Sequence, residues 1–182
     1  MLRPFYVLVF KLFGWRISGS FPSQLKKYIV AVGPHTSSWD FVVGVAARSI
    51  LRMRDAHFLG KSQLFRPPFG WFFRWLGGHP VERTKSHDMV DQVVRVFDEH
   101  EYFILALAPE GTRKKVNKLR TGFYFIARQA RVPIIPVGFD FAKKEVIISE
   151  PFYPTQDSEG DIAKIMDFYR GVTGKNPELG IS

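Results

Sequence analysis

Short apolar runs alternate along the chain with amphipathic segments in which apolar residues recur three and four positions apart. The short runs are rich in β-branched and aromatic residues and predict strands, at 28–32, 56–59, 80–82, 102–108, 134–139 and 145–149. The amphipathic segments predict helices, at 2–13, 39–54, 68–76, 86–100, 121–130 and 161–170. Gly33-Pro34 and Gly77-Gly78 punctuate this alternation, as glycine and proline do in turns.

Strands that alternate with helices are typical of an α/β domain with a mainly parallel central sheet flanked by helices. The chain has 182 residues, which is enough for one core and short for two. We therefore expect a single domain over 1–182. Its last residues, 175–182, are expected to form a loose tail.

The first helix, within residues 1–16, is apolar on most faces, with Arg3, Lys11 and Arg16 at its ends. It can either pack on the core or lie in a membrane interface, and so short a helix has too little periodicity to decide. A spanning helix needs about 20 apolar residues, whereas the best run, Phe5 to Phe10, stops at Lys11. The start of the chain does not fit a secretory signal either. These features favour a protein on the cytoplasmic side of a membrane, bound peripherally or monotopically.

Composition narrows the choice of partners. The net charge is +9, aromatic residues make up 15% of the chain, and cysteine is absent. Without cysteine, disulfides, thiol catalysis and zinc–thiolate sites are excluded. A basic surface attracts the phosphate of nucleic acids, anionic lipids or small substrates. Many aromatic residues beside basic ones favour a membrane interface, although base stacking would use the same residue types.

An aromatic segment, Leu64 to Trp75, carries several Phe, two Trp and two Arg. Two interpretations fit this composition. The segment can lie in a headgroup layer or line a groove for an acyl chain, or it can be a core helix whose arginines reach outward to solvent.

Two loops combine charge with the end of an apolar strand, where α/β sheets place their functional residues. The first holds His35, with Asp40 five residues later. An imidazole can take a proton from a hydroxyl, and a carboxylate on its other nitrogen fixes the tautomer. Ser37 and Ser38 lie nearby but lack the surroundings of a nucleophile elbow. We therefore expect the base to activate a hydroxyl of the substrate, without a protein nucleophile.

The second loop is Pro109-Glu-Gly-Thr-Arg113, and a dense basic run follows it. Gly111 allows unusual backbone angles and close approach of a ligand. Arg113 can hold a phosphate, with the hydroxyl of Thr112 as a further donor. A solvated basic loop without a ligand would have the same composition.

Four motifs together resemble the glycerophospholipid acyltransferases, the PlsC-like lysophospholipid acyltransferase family. They are the H-x4-D motif at His35–Asp40, a counterpart of the second motif at Gly78–Arg83, the Glu-Gly-Thr-Arg loop within Pro109–Arg113, and a proline-flanked strand at Val132–Val137. They occur in the order that the family shows, and the segment that they span, Pro34 to Val137, is more than half of the chain. The H-x4-D spacing alone is weak, whereas the ordered set is specific.

The resemblance implies a role for each matched residue. His35 would be the general base and Asp40 its orienting partner. The residues that would hold the glycerol-phosphate end of the acceptor are Arg83, Glu110, Gly111, Thr112 and Arg113. The acceptor would be a lysophospholipid such as 1-acyl-glycerol-3-phosphate, and the acyl donor a thioester of coenzyme A or acyl carrier protein. No metal and no further cofactor is expected.

Two other functions remain open on the sequence. One is acyl transfer to a different acceptor, such as an amino-acid-containing lipid or another alcohol. The other is a non-enzymatic module that binds anionic lipid or nucleic acid through its basic, aromatic surface. The second leaves the ordered motifs unexplained, so nucleic acid is not expected as a partner.

Overall fold

The computed structural model describes residues 3–53, 55–81 and 86–181 of the chain. Its elements are arranged around a central sheet. Within these residues the sheet has seven strands: β1 (Arg16–Ser18), β2 (Lys27–Gly33), β3 (Ala56–Lys61), β4 (Gly78–Val81), β5 (Phe103–Leu107), β6 (Ile134–Asp140) and β7 (Glu145–Ile148). The described α-helices are α1 (Arg3–Leu12), α2 (Trp39–Ile50), α3 (Gly70–Trp75), α4 (Ser86–Glu99), α5 (Gly122–Ala130) and α6 (Ser158–Arg170).

The strand order across the sheet is β1-β7-β6-β2-β5-β3-β4. Every neighbouring pair is parallel except β6 with β7. The expectation of a mainly parallel sheet in a single α/β domain is confirmed. Strand β2 lies at the centre, between β5 and β6, so the loops that follow β2 and β5 leave the sheet side by side.

Apolar side chains cover both faces of the sheet, because successive residues of a strand point to opposite sides. In β2, Ile29 joins the core beneath α4, α5 and α6, whereas Val30 joins the core beneath α1 and α2. Both side chains are buried. This burial on two faces explains why the central strands are continuous apolar runs in the sequence.

Helix α1 packs on α2, and its Phe10 is buried in the same core cluster as Val43 of α2. Nε of Arg3 donates a hydrogen bond to the carbonyl of Ile50. Its other face is apolar and exposed at Phe5 and Leu8. The helix therefore packs on the core along one stripe and presents an apolar stripe on the other side.

The aromatic segment also divides its side chains between core and surface. Phe65 is buried, whereas Trp71 and Trp75 are 71% and 67% exposed. This differs from an aromatic core helix, in which the rings would face inward and only the arginines outward. Phe41 of α2 is in ring contact with Phe73 of α3, so the two helices are neighbours.

Some boundaries differ from those predicted. Helix α2 ends at Ile50 rather than at 54, because Arg52 adopts a positive φ of 58° and the chain turns there. Helix α6 starts at Ser158 rather than at 161, because the carboxylate of Asp157 accepts a hydrogen bond from Gly160 N and caps it. Strand β1 was not predicted, since three residues are too few to show a period.

The expectation of a loose C-terminal tail is wrong for its described residues, 175–181. Asn176 makes two hydrogen bonds to Thr36, and Ile181 is buried in the core beneath α4, α5 and α6. Residues 177–179 form a short 3-10 turn. These contacts join positions far apart in the sequence, and for that reason no local pattern indicated them.

Candidate active site

The candidate site lies at the edge of the sheet where β2 and β5 end. These strands pair in parallel with Ala31 opposite Leu107, so the loops after them start from adjacent points. The loop after β2 contains His35, and the loop after β5 contains Glu110. The parallel pairing therefore brings together two motifs that are 75 residues apart in the sequence.

His35 and Asp40 form a hydrogen-bonded pair. Nδ1 of His35 lies 2.9 Å from Oδ2 of Asp40. The carboxylate is buried, whereas the imidazole keeps 24% of its side-chain surface exposed. With Nδ1 bound to the carboxylate, Nε2 makes no hydrogen bond to any residue that the structure describes. This is the arrangement of an imidazole whose tautomer and orientation are fixed by a carboxylate, as general bases require.

The start of α2 holds the carboxylate of Asp40 in place. Oδ2 of Asp40 also accepts a hydrogen bond from the backbone N–H of Ser37, at 2.9 Å. Asp40 lies in the first turn of α2, where the helix dipole favours negative charge. Because the helix begins at Trp39, its first turn points the carboxylate back toward His35.

Glu110 is buried beneath the loop that carries His35. It is only 1% exposed, and its Oε1 accepts a 2.6 Å hydrogen bond from the backbone N–H of His35. Burial raises the pKa of Glu110, and the negative charge of Asp40 adds to this, whereas the N–H and the ring of His35 oppose it. Glu110 therefore binds the backbone of the His35 loop rather than facing outward with the rest of its motif.

The next three residues of the loop are more exposed than Glu110. Gly111 has a φ of +65°, and a Cβ there would lie 2.6 Å from Nε of Arg120. The side-chain oxygen of Thr112 accepts a hydrogen bond from the backbone N–H of Lys114. Nη1 of Arg113 donates to Oγ of Ser38 at 2.8 Å. The positive φ therefore favours glycine at 111, and a larger residue there would also displace the side chain of Arg120.

The structure brings six of the predicted site residues to this edge of the sheet: His35, Asp40, Glu110, Gly111, Thr112 and Arg113. Glu110 was expected to hold the acceptor, but its side chain is buried and binds the backbone of His35. Arg83 lies outside the described residues.

The sequence did not reveal that the side chain of Arg120 lies against Gly111, because a run of basic residues does not show which member folds back over the loop. It also did not reveal the contact between Thr36 and the C-terminal segment.

The arrangement can be compared with known proteins. A model of the acyltransferase family matches residues 15–140, which include both loops of the site. The chain belongs to the acyltransferase family. The resemblance carried by the four motifs is thereby confirmed at the level of the family.

Two individual proteins are similar to this acyltransferase family member. The 1-acyl-sn-glycerol-3-phosphate acyltransferase of Saccharomyces cerevisiae is 30% identical over 84 residues, which is 42% of this chain and 28% of the yeast protein. The alignment thus spans less than a third of that relative. The crystal structure of the 1-acyl-sn-glycerophosphate acyltransferase PlsC from Thermotoga maritima superposes with a TM-score of 0.65 at 22% identity, over 93% of this chain and 76% of that chain. The two share a fold.

Replacing Glu110 by Gln tests the buried carboxyl group through the pH dependence of stability. The pKa of Glu110 in the folded protein is raised above the ordinary value of 4.5. The unfolded chain therefore releases this proton more readily, and the Glu110 contribution to stability declines as the pH rises above about 4.5. Gln keeps an oxygen that can accept from His35 N–H and removes the titration. Urea unfolding at a series of pH values should show a smaller decline toward pH ~7 in Glu110→Gln than in the wild type.

The matched control is Glu150→Gln, which changes an exposed glutamate and should follow the wild-type curve. Parallel curves for Glu110→Gln and the wild type would contradict a buried carboxyl group with a raised pKa.

Proposed function

We propose that this acyltransferase family member transfers a fatty acyl group from a thioester of coenzyme A or acyl carrier protein to the free hydroxyl of a lysophospholipid, such as 1-acyl-glycerol-3-phosphate. The observation that carries the proposal is the His35–Asp40 pair, with Nδ1 bound at 2.9 Å and the imidazole partly exposed. The family match over 15–140 and the likeness to the yeast 1-acyl-sn-glycerol-3-phosphate acyltransferase support it.

In the proposed reaction, Nε2 of His35 takes the proton of the acceptor hydroxyl. Asp40 stabilises the imidazolium that forms. The acceptor oxygen attacks the thioester carbonyl, so that a C–O bond forms and the C–S bond breaks. The thiolate leaves and takes the proton from His35. The transfer is direct and needs no metal or further cofactor.

Within this proposal the residues of the Glu-Gly-Thr-Arg loop divide their roles. Glu110 orients the His35 loop, because it is buried and bound to the His35 backbone. The backbone of Gly111, the hydroxyl of Thr112 and the guanidinium of Arg113 hold the glycerol-phosphate end, together with Arg83. Arg113 suits this task because a guanidinium can bind phosphate oxygens in a bidentate manner, and its contact with Ser38 places it beside the start of α2.

The lipid acceptor is reached from a membrane surface. None of the helices in the described part of the chain is long and apolar enough to span a bilayer. Trp39 at the start of α2 is exposed, as are Trp71 and Trp75 of α3. Such rings suit the headgroup layer of a membrane, and Trp39 is adjacent to the catalytic Asp40. We propose peripheral or monotopic binding from the cytoplasmic side, with the site at the membrane surface.

A different acceptor, such as an amino-acid-containing lipid or another alcohol, is compatible with the same chemistry. The groups that take the proton and stabilise the imidazolium would be unchanged. The acceptor panel in the experiment below separates the two.

His35→Ala should remove transfer. We expect product formation to fall about 10²- to 10⁴-fold, the range for loss of a general base. The assay offers labelled acyl-CoA and acyl-acyl carrier protein to the purified protein with a panel of lysophospholipids and other lipid alcohols. The panel should give highest activity with 1-acyl-glycerol-3-phosphate.

The matched control is His100→Ala. His100 is exposed and precedes β5, at the edge of the sheet opposite to His35, so its loss should leave the rate within about twofold. Wild-type turnover in a folded His35→Ala protein would contradict the mechanism, and preference for another alcohol would contradict the acceptor.

Removing the two exposed rings of α3 tests membrane binding. Trp71→Ala with Trp75→Ala should lower the fraction bound to phospholipid liposomes by about tenfold or more, because the apolar area that can enter the interface falls. Flotation on a density gradient measures this fraction. The control is Tyr102→Ala with Tyr153→Ala, which removes two similarly exposed aromatic side chains that lie outside α3. Equal flotation of both double variants would contradict docking through α3.

A further inference from the structure

We propose that Asn176, in the segment after α6, is a positioning residue for His35. The inference rests on the proposed role of His35 as the catalytic base. Residues 174–176 lie beyond the segment 15–140 that matches the acyltransferase family, so this contact belongs to a part of the chain outside the shared motifs.

Asn176 makes two hydrogen bonds to Thr36, the residue that directly follows His35. The backbone N–H of Asn176 donates to Oγ1 of Thr36 at 3.1 Å. Its side-chain Nδ2 donates to the backbone carbonyl of Thr36 at 2.9 Å. Thr36 is 2% exposed, so its polar groups depend on protein partners, and an unmade hydrogen bond there would be unfavourable.

Close packing adds to these hydrogen bonds. A Cβ at Gly174 would lie 2.7 Å from Oγ1 of Thr36 and 3.3 Å from Cγ of Pro34. The chain at 174 therefore presses against the residues on both sides of His35. Only a residue without a side chain fits there unless the loop shifts.

The end of α6 supports the same loop from the β2 side. The hydroxyl of Tyr169 donates to the backbone carbonyl of Ala31 at 2.7 Å. A Cβ at Gly33 would come within 2.9 Å of the Tyr169 ring. The last residues of β2 and the first residues of the loop are thus held by one continuous stretch of chain, from α6 through Asn176.

His35 consequently has restraints from three directions. Glu110 binds its backbone N–H, Asp40 binds its ring, and Asn176 holds the next residue. A displacement of about 1 Å at a reacting group can lower the rate about 100-fold. The two hydrogen bonds from Asn176 to Thr36 limit such a displacement, because Thr36 cannot move without breaking them. Among the described residues proposed to bind the acceptor, which are Gly111, Thr112 and Arg113, none makes a hydrogen bond to Asn176. Its loss should therefore affect turnover rather than substrate binding.

The test compares Asn176→Ala with the wild type in the transfer assay. We expect kcat to fall about tenfold or more, with KM changed less than about twofold. Thr36→Val removes the hydroxyl acceptor at nearly constant volume and should share the loss of kcat. Gln129→Ala is the control. The side chain of Gln129, in α5, also donates an amide hydrogen bond, but to Asp91 of α4. The kcat of this variant should equal that of the wild type.

A second measurement does not depend on turnover. In protein labelled with ¹⁵N-histidine, the ring signals of His35 should shift or broaden in Asn176→Ala and Thr36→Val and stay unchanged in Gln129→Ala. If the wild-type protein transfers no acyl group, the proposed function fails. The spectra would still test whether Asn176 positions His35. Unchanged His35 signals together with wild-type kcat would overturn the inference. A raised KM at unchanged kcat would also overturn it, because Asn176 would then act in binding.

Discussion

The hydrogen bond from the backbone N–H of His35 to Oε1 of Glu110 joins the two loops on which the candidate site is built. It is possible because β2 and β5 are parallel neighbours and end side by side. Burying a carboxyl group is unfavourable unless it is hydrogen-bonded, and this bond offsets part of that penalty. Burial raises the pKa of Glu110, which is the direction expected where the hydrogen bond offsets only part of the penalty. The protein thus keeps an energetically unfavourable group where it fixes the backbone of the loop that carries His35.

Helix α2 links the chemistry to the surface through which lipid is proposed to arrive. Its first turn carries Asp40, turned inward to His35, next to the exposed Trp39. Further along, Phe41 contacts Phe73 of α3, which carries the other exposed rings. A short helix therefore sets the distance between the base and the proposed membrane surface. Helix α1, which packs on α2, carries further exposed apolar side chains at Phe5 and Leu8.

The sequence predicts those features that depend on neighbouring residues. The strand and helix pattern follows from local periodicity, and His35 and Asp40 are only five residues apart, so one turn of chain brings them together. Glu110 is different. Its motif marked it as functional, but the motif does not show that its side chain is only 1% exposed. Nor does it show that Glu110 binds the backbone of His35, 75 residues away, because both features arise from the folded sheet. The contact of Asn176 with Thr36 spans 140 residues and has no local pattern at all. The expected loose tail was wrong for the same reason.

The central claim is that Asp40 holds His35 with Nε2 free to accept a proton. The most direct measurement is the ¹⁵N and ¹H spectrum of the His35 ring in the folded wild-type protein, assigned with His35→Ala, at a pH where the ring is neutral. The account predicts that the proton resides on Nδ1 and that Nε2 has the shift of an unprotonated nitrogen. It also predicts that Asp40→Asn, which can donate to Nδ1, moves the proton to Nε2. A wild-type ring protonated on Nε2 would contradict the account.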